Sequence, residues 1–78
     1  MEKRIFNELK TIFLEVIGTD TIDINSNRKN ISKWDSMAHI DLISHIEEKY
    51  EINFNLDQII EFNNIKDIMI AIENKIKR

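Results

Sequence analysis

Few residues of this chain could do chemistry, and most of the usual arrangements for it are missing. There is no cysteine and only one glycine, Gly18. That rules out a disulfide, a thiolate metal site and a glycine-rich phosphate loop. Two histidines, His39 and His45, lie six residues apart. On a helix this spacing turns them roughly 120° from one another, which is wrong for holding one metal ion. They read as ordinary surface or boundary histidines. Glu47 and Glu48 form a carboxylate pair, yet adjacent helical side chains diverge and cannot share a substrate. The pair reads as part of a solvated acidic face. No convergent set of nucleophile, base and stabilising donor emerges, so no catalytic residue and no metal ligand is assigned, and the chain is not read as an enzyme.

Ser36 stands apart because of its position. Asp35 is a favourable N-cap, which makes Ser36 the first residue inside a helix and the end of a long polar loop. A phosphodiester attached there would meet the positive end of the helix dipole and its unsatisfied backbone N–H groups. The loop end also leaves the hydroxyl within reach of a modifying enzyme. An Asp-Ser pair alone is an ordinary helix start, so the surrounding elements must decide what it means.

The first helix is expected from about Lys3 to Ile17, with Ile5, Leu9, Ile12, Phe13 and Val16 on one apolar stripe. Gly18 follows where a helix end needs a left-handed residue. Residues 19–35 are rich in Thr, Asp, Asn and Ser, which favour turns and caps over helix. Ile22, Ile24 and Ile31 are spaced through this segment and pin it to the core. The second helix starts after Asp35 and carries Met37, Ile40, Ile43, Ile46 and Tyr50, with Leu42 beside them, on a broad apolar face. It ends near Tyr50 or Glu51. The alternation in residues 52–56 reads as an extended connector with Ile52, Phe54 and Leu56 toward the core, since no partner strand exists. A short helix over residues 57–62 would turn Ile59 and Ile60 inward before Asn63 and Asn64 break it. Asn64 then caps a last helix with Ile65, Ile68, Met69, Ile72 and Ile76 on its inner face. Asp67 in its first turn and Lys75, Lys77 and Arg78 in its last suit the dipole. The expected fold is all-α: a small antiparallel bundle of three main helices plus one short helix, with a long loop between the first and second.

Its 78 residues suffice for one domain with a modest core and little room for an enclosed active site. An apolar fraction of 42% is ordinary for a globular domain and argues against disorder. No apolar run reaches the length of a membrane span, and no signal peptide or lipidation motif is evident, so the chain is expected to be cytoplasmic. The net charge of −3 is unevenly spread. Residues 36–62 hold six acids against the single base Lys49, a net of −5. That is either a solvated face or a docking surface for basic partners. It also speaks against nucleic acid as a partner, because the second helix would be the recognition helix and is acidic.

The stretch Trp34-Asp35-Ser36-Met37-Ala38-His39-Ile40-Asp41-Leu42-Ile43 resembles the Asp-Ser-Leu signature of acyl and peptidyl carrier proteins. The similarity continues through residues 46–54, which look like the acidic half of that family's recognition helix, and into residues 65–76 as its last helix. It thus covers nearly the whole chain as a single carrier domain over 1–78. The resemblance implies 4'-phosphopantetheine, transferred from coenzyme A onto Ser36 by a phosphopantetheinyl transferase, with Asp35 helping to orient the transferase. It implies apolar partner contacts at Met37 and Ile40, and steering of basic partners by Asp41, Glu47 and Glu48. The cargo would be an acyl or aminoacyl group held as a thioester. A loading ligase and a downstream transferase or synthase would be further partners of a monomeric carrier.

Some residues depart from the family pattern. Met37 replaces the usual Leu, Lys33-Trp34 stand where glycine is common, and Ala38-His39 replace acids frequent in carriers of fatty acid synthesis. A Trp-Asp-Ser start looks more like dedicated stand-alone carriers, such as those of D-alanylation, polyketide, nonribosomal-peptide or surface-polysaccharide pathways. The alternative from another class is an unmodified helical adaptor that uses the acidic second helix for docking.

Overall fold

The computed structural model describes residues 3–19 and 21–76. They form four helices and no strand: α1 (Lys3–Val16), α2 (Ser36–Tyr50), α3 (Leu56–Glu61) and α4 (Ile65–Ile76). This is the all-helical, carrier-like bundle expected. The positions predicted for Lys77 and Arg78 lie outside the described residues.

Each boundary has a local cause. α1 closes on Gly18, whose N–H reaches back to the carbonyls of Phe13 and Leu14 at 3.1 Å each and whose φ of +95° then turns the chain out of the helix. α2 opens on Asp35, whose carboxylate accepts the Ala38 N–H at 2.9 Å. It ends at Glu51, a non-glycine residue in the left-handed region at φ 55°. α3 starts one residue earlier than expected, because Asn55 and Gln58 form a reciprocal capping box. Asn64 caps α4 by accepting the Asp67 N–H at 2.7 Å.

The core is one cluster drawn from α1, α2, α4 and the segments between the helices, with Ile59 of α3 partly buried against it. α1 contributes Ile5, Leu9, Ile12 and Phe13, and α4 contributes Ile65, Ile68, Met69 and Ile72, as their stripes require. Phe54 and Phe62 meet edge to face, with ring centroids 5.1 Å apart. Trp34 is buried, and its indole and the Phe13 ring meet at right angles with centroids 4.9 Å apart.

The inner face of α2 differs from the expected one. Its buried residues are His39, Leu42, Ile43 and Ile46, whereas Met37 is 84% exposed and Ile40 51%. The stripe is rotated because His39 takes the core position in the first turn. α3 differs as well: Leu56 is 64% exposed and Ile60 61%, and only Ile59 turns partly inward. Leu56 is the first residue of a helix and not the last of an extended run, so the alternation of the connector stops at Phe54.

The long loop is tied down at two levels. Ile22 is buried, while Ile24 and Ile31 are partly so. Its backbone also forms a seam with the α3–α4 junction: Arg28 N–H donates to Asn63 O at 2.9 Å, Ile65 N–H to Ser26 O at 3.0 Å and Lys66 N–H to Ile24 O at 3.2 Å. One isolated antiparallel bridge, Asn27 with Asn64, lies in this seam. Among the described residues, no helix is long and apolar enough to cross a membrane.

Candidate functional site

The site is built around the first turn of α2. Asp35 has extended backbone angles, and its side chain takes the Ala38 N–H while its carbonyl takes the His39 N–H at 2.8 Å. The helical ladder therefore begins at His39. The N–H groups of Ser36 and Met37 stay outside it at the positive end of the helix. Ser36 is exposed, and among the described residues its hydroxyl makes no hydrogen bond. An oxygen held there in solvent, with two uncommitted N–H groups beside it, suits a phosphodiester sterically and electrostatically.

The ground beneath this turn is polar and buried. The Trp34 indole N–H donates to His39 Nδ1 at 3.0 Å, and His39 Nε2–H donates to the Ile59 carbonyl at 2.8 Å. These partners define the tautomer: Nδ1 is bare and Nε2 carries the proton. Burial lowers the pKa of His39 below its usual 6.5, the Ile59 hydrogen bond opposes this, and the charge of Arg28 adds to the lowering. His39 is only 3% exposed, so the expectation of a surface or boundary histidine is corrected. Its place was readable in part, since it lies three and four residues before Leu42 and Ile43 on their stripe. A lone tryptophan in so small a chain is also a core residue more often than not. His45 is the surface histidine expected, with Nδ1–H donating to Asp41 O at 2.9 Å.

The remaining predicted residues divide by surroundings. Met37, Ile40, Asp41 and Glu48 are exposed along α2. Glu47 is half-buried and accepts the Phe54 N–H at 2.8 Å, so it anchors the connector as well as carrying charge. At the far end of α2, Tyr50 donates to Glu8 of α1 at 2.5 Å. Burial and that carboxylate push its phenol well above the ordinary range.

A small helical bundle with an exposed serine at a capped helix start is compatible with a covalent carrier. The family comparison agrees: the model of the phosphopantetheine attachment site family matches residues 7–72. This chain belongs to that family, whose members covalently bind 4'-phosphopantetheine. No individual curated protein matches it.

Proposed function

We propose that this chain is a carrier whose phosphopantetheine arm is attached through Ser36. The observation that carries the reading is the exposed Ser36 hydroxyl at the start of α2, without a hydrogen bond among the described residues and inside the matched residues 7–72. Once attached, the arm supplies a terminal thiol that holds an acyl or aminoacyl cargo as a thioester. The protein's own residues position and present it. Asp35 holds the turn that exposes Ser36 and offers a carboxylate to the phosphopantetheinyl transferase. Met37 and Ile40 give partner enzymes an apolar foothold, Met37 adapting to different surfaces. Asp41 and Glu48 steer basic patches on those partners, and Glu47 adds its charge from a more enclosed place.

In this reading the chain is one carrier domain, not an enzyme, and works as a cytoplasmic monomer with a loading ligase and a downstream transferase or synthase. The Trp34-Asp35-Ser36 start supports a dedicated biosynthetic pathway over general fatty acid synthesis.

The test is to incubate the purified chain with coenzyme A and a broad-specificity phosphopantetheinyl transferase and weigh it intact. One phosphopantetheine added to wild type and none to Ser36→Ala is expected. No gain under conditions that fully modify a control carrier would leave the unmodified adaptor as the better description.

A further inference from the structure

His39 ties three parts of the molecule together by hydrogen bonds. Its backbone N–H closes the first turn of α2 on Asp35 O, beside Ser36. Its Nδ1 receives the Trp34 indole, from the residue just before the cap, and its Nε2–H reaches the Ile59 carbonyl in α3. α3 has no buried residue of its own and only six residues in all, too short to hold itself in place. Beyond the chain either side of it, its position rests on the partly buried Ile59 side chain packed against the core and on this hydrogen bond.

What α3 presents makes its position matter. Leu56 and Ile60 are four apart, so they share one helix face, and both are more than half exposed. Met37 and Ile40, three apart on α2, are likewise exposed. The pinned atoms fall between the members of each pair: His39 lies between Met37 and Ile40, and Ile59 between Leu56 and Ile60. Two short apolar steps, one on each helix, are thus held in a set relation by one 2.8 Å hydrogen bond.

We propose that His39 is a positioning residue for partner recognition: with Trp34 behind it, the neutral imidazole fixes α3 against the Ser36 turn, so that a phosphopantetheinyl transferase meets Met37, Ile40, Leu56 and Ile60 as one surface. The proposal rests on the carrier reading for the identity of that partner. The latch itself stands independently of it.

The two ring nitrogens can be separated by substitution in the full chain. His39→Gln keeps a donor near the Nε2 position, and His39→Asn keeps an acceptor near Nδ1 but is too short to reach Ile59. Three quantities are read for each variant and wild type: amide hydrogen exchange over residues 56–61, kcat and KM of the transferase with the chain as substrate, and circular dichroism for folding. His39→Asn should lose protection across α3 and raise KM about tenfold with kcat within about twofold, the pattern of lost binding rather than lost chemistry. His39→Gln should restore much of both.

Wild-type protection and wild-type KM in a folded His39→Asn would overturn the proposal, as would equal defects in Asn and Gln. Trp34→Phe, which keeps an aromatic ring and removes the indole N–H, stands in for a variant that does not fold. It should raise the His39 titration midpoint followed by NMR and loosen α3, and an unchanged midpoint would count against the latch. If wild type takes up no phosphopantetheine at all, the carrier reading fails, while the exchange and titration results still decide whether His39 holds α3.

Discussion

Glu47 accepts the backbone N–H of Phe54 at 2.8 Å, so the two members of the Glu47–Glu48 pair do different things. Glu48 is exposed. Glu47 reaches past the end of α2 and holds the connector so that Phe54 can enter the core. Its carbonyl receives the N–H of both Glu51 and Ile52, so the same residue closes the helix from the backbone side.

The two glutamates should therefore separate in a stability experiment. Glu47→Ala removes a hydrogen bond to a charged acceptor and should cost about 1.5–3 kcal/mol in urea unfolding. Glu48→Ala should stay within about 0.5 kcal/mol of wild type. Its effect should appear instead as slower modification by the transferase at low salt, with the difference fading as ionic strength rises.

Asp35 combines a cap with a charge, and asparagine parts the two. Asp35→Ala should destabilise the fold by about 1 kcal/mol through loss of the Ala38 N–H bond. Asp35→Asn keeps an acceptor and should unfold near the wild-type midpoint. If the carboxylate also serves the transferase, Asp35→Asn is modified more slowly than wild type despite equal stability. Equal modification rates would restrict Asp35 to capping.

Acid should weaken the fold through His39. Its folded pKa lies below the ordinary 6.5, so between those two values the unfolded chain binds more protons than the folded one. The contribution of the neutral ring is complete above 6.5, declines as pH falls through that window, and stops changing once the folded ring is protonated too. The physical event is the loss of the bare Nδ1 that receives the Trp34 N–H. Urea midpoints measured from about pH 7 to about pH 5 should fall more steeply for wild type than for His39→Gln, whose side chain at position 39 does not titrate.

The Tyr50–Glu8 bond crosses from α2 to α1 at the end of the bundle away from Ser36. Tyr50→Phe keeps the ring and should cost about 1–2 kcal/mol in unfolding free energy. Because this contact is remote from the α2 start, phosphopantetheine uptake should be unchanged. A parallel fall in both would mean that the bundle transmits strain along α2.

Much of this architecture was legible in the chain. The stripes of α1 and α4, the Gly18 stop, the Asp35 and Asn64 caps and the exposed Ser36 follow from period and capping chemistry, which are local. Two errors share a single cause. Apolar residues at helical spacing are normally core, which favours Met37 and Ile40 for the inner face, and a histidine normally is not, which favours His39 for the outside. The buried polar chain from Trp34 through His39 to Ile59 reverses both, and it depends on a carbonyl twenty residues away that no local pattern announces. Leu56 and Ile60 mislead for a related reason. In a helix of six residues a period has too few repeats to define a face. The double role of Glu47 was likewise hidden, since an acidic pair in sequence does not disclose which carboxylate finds a backbone partner.

The seam between the long loop and the α3–α4 junction bears on how the chain acquires its shape. The Arg28 N–H and the carbonyls of Ile24 and Ser26 find their backbone partners at residues 63–66, nearly the whole length of the second half away. During synthesis the loop emerges well before α4, and until α4 arrives the carbonyls of Ile24 and Ser26 have only water to bind. Contacts so distant along the chain close late and carry the entropy of the intervening loop. A growing chain that has not yet released α4 from the ribosome lacks the α4 side of the seam, so the segment leading into Ser36 is then without those backbone partners.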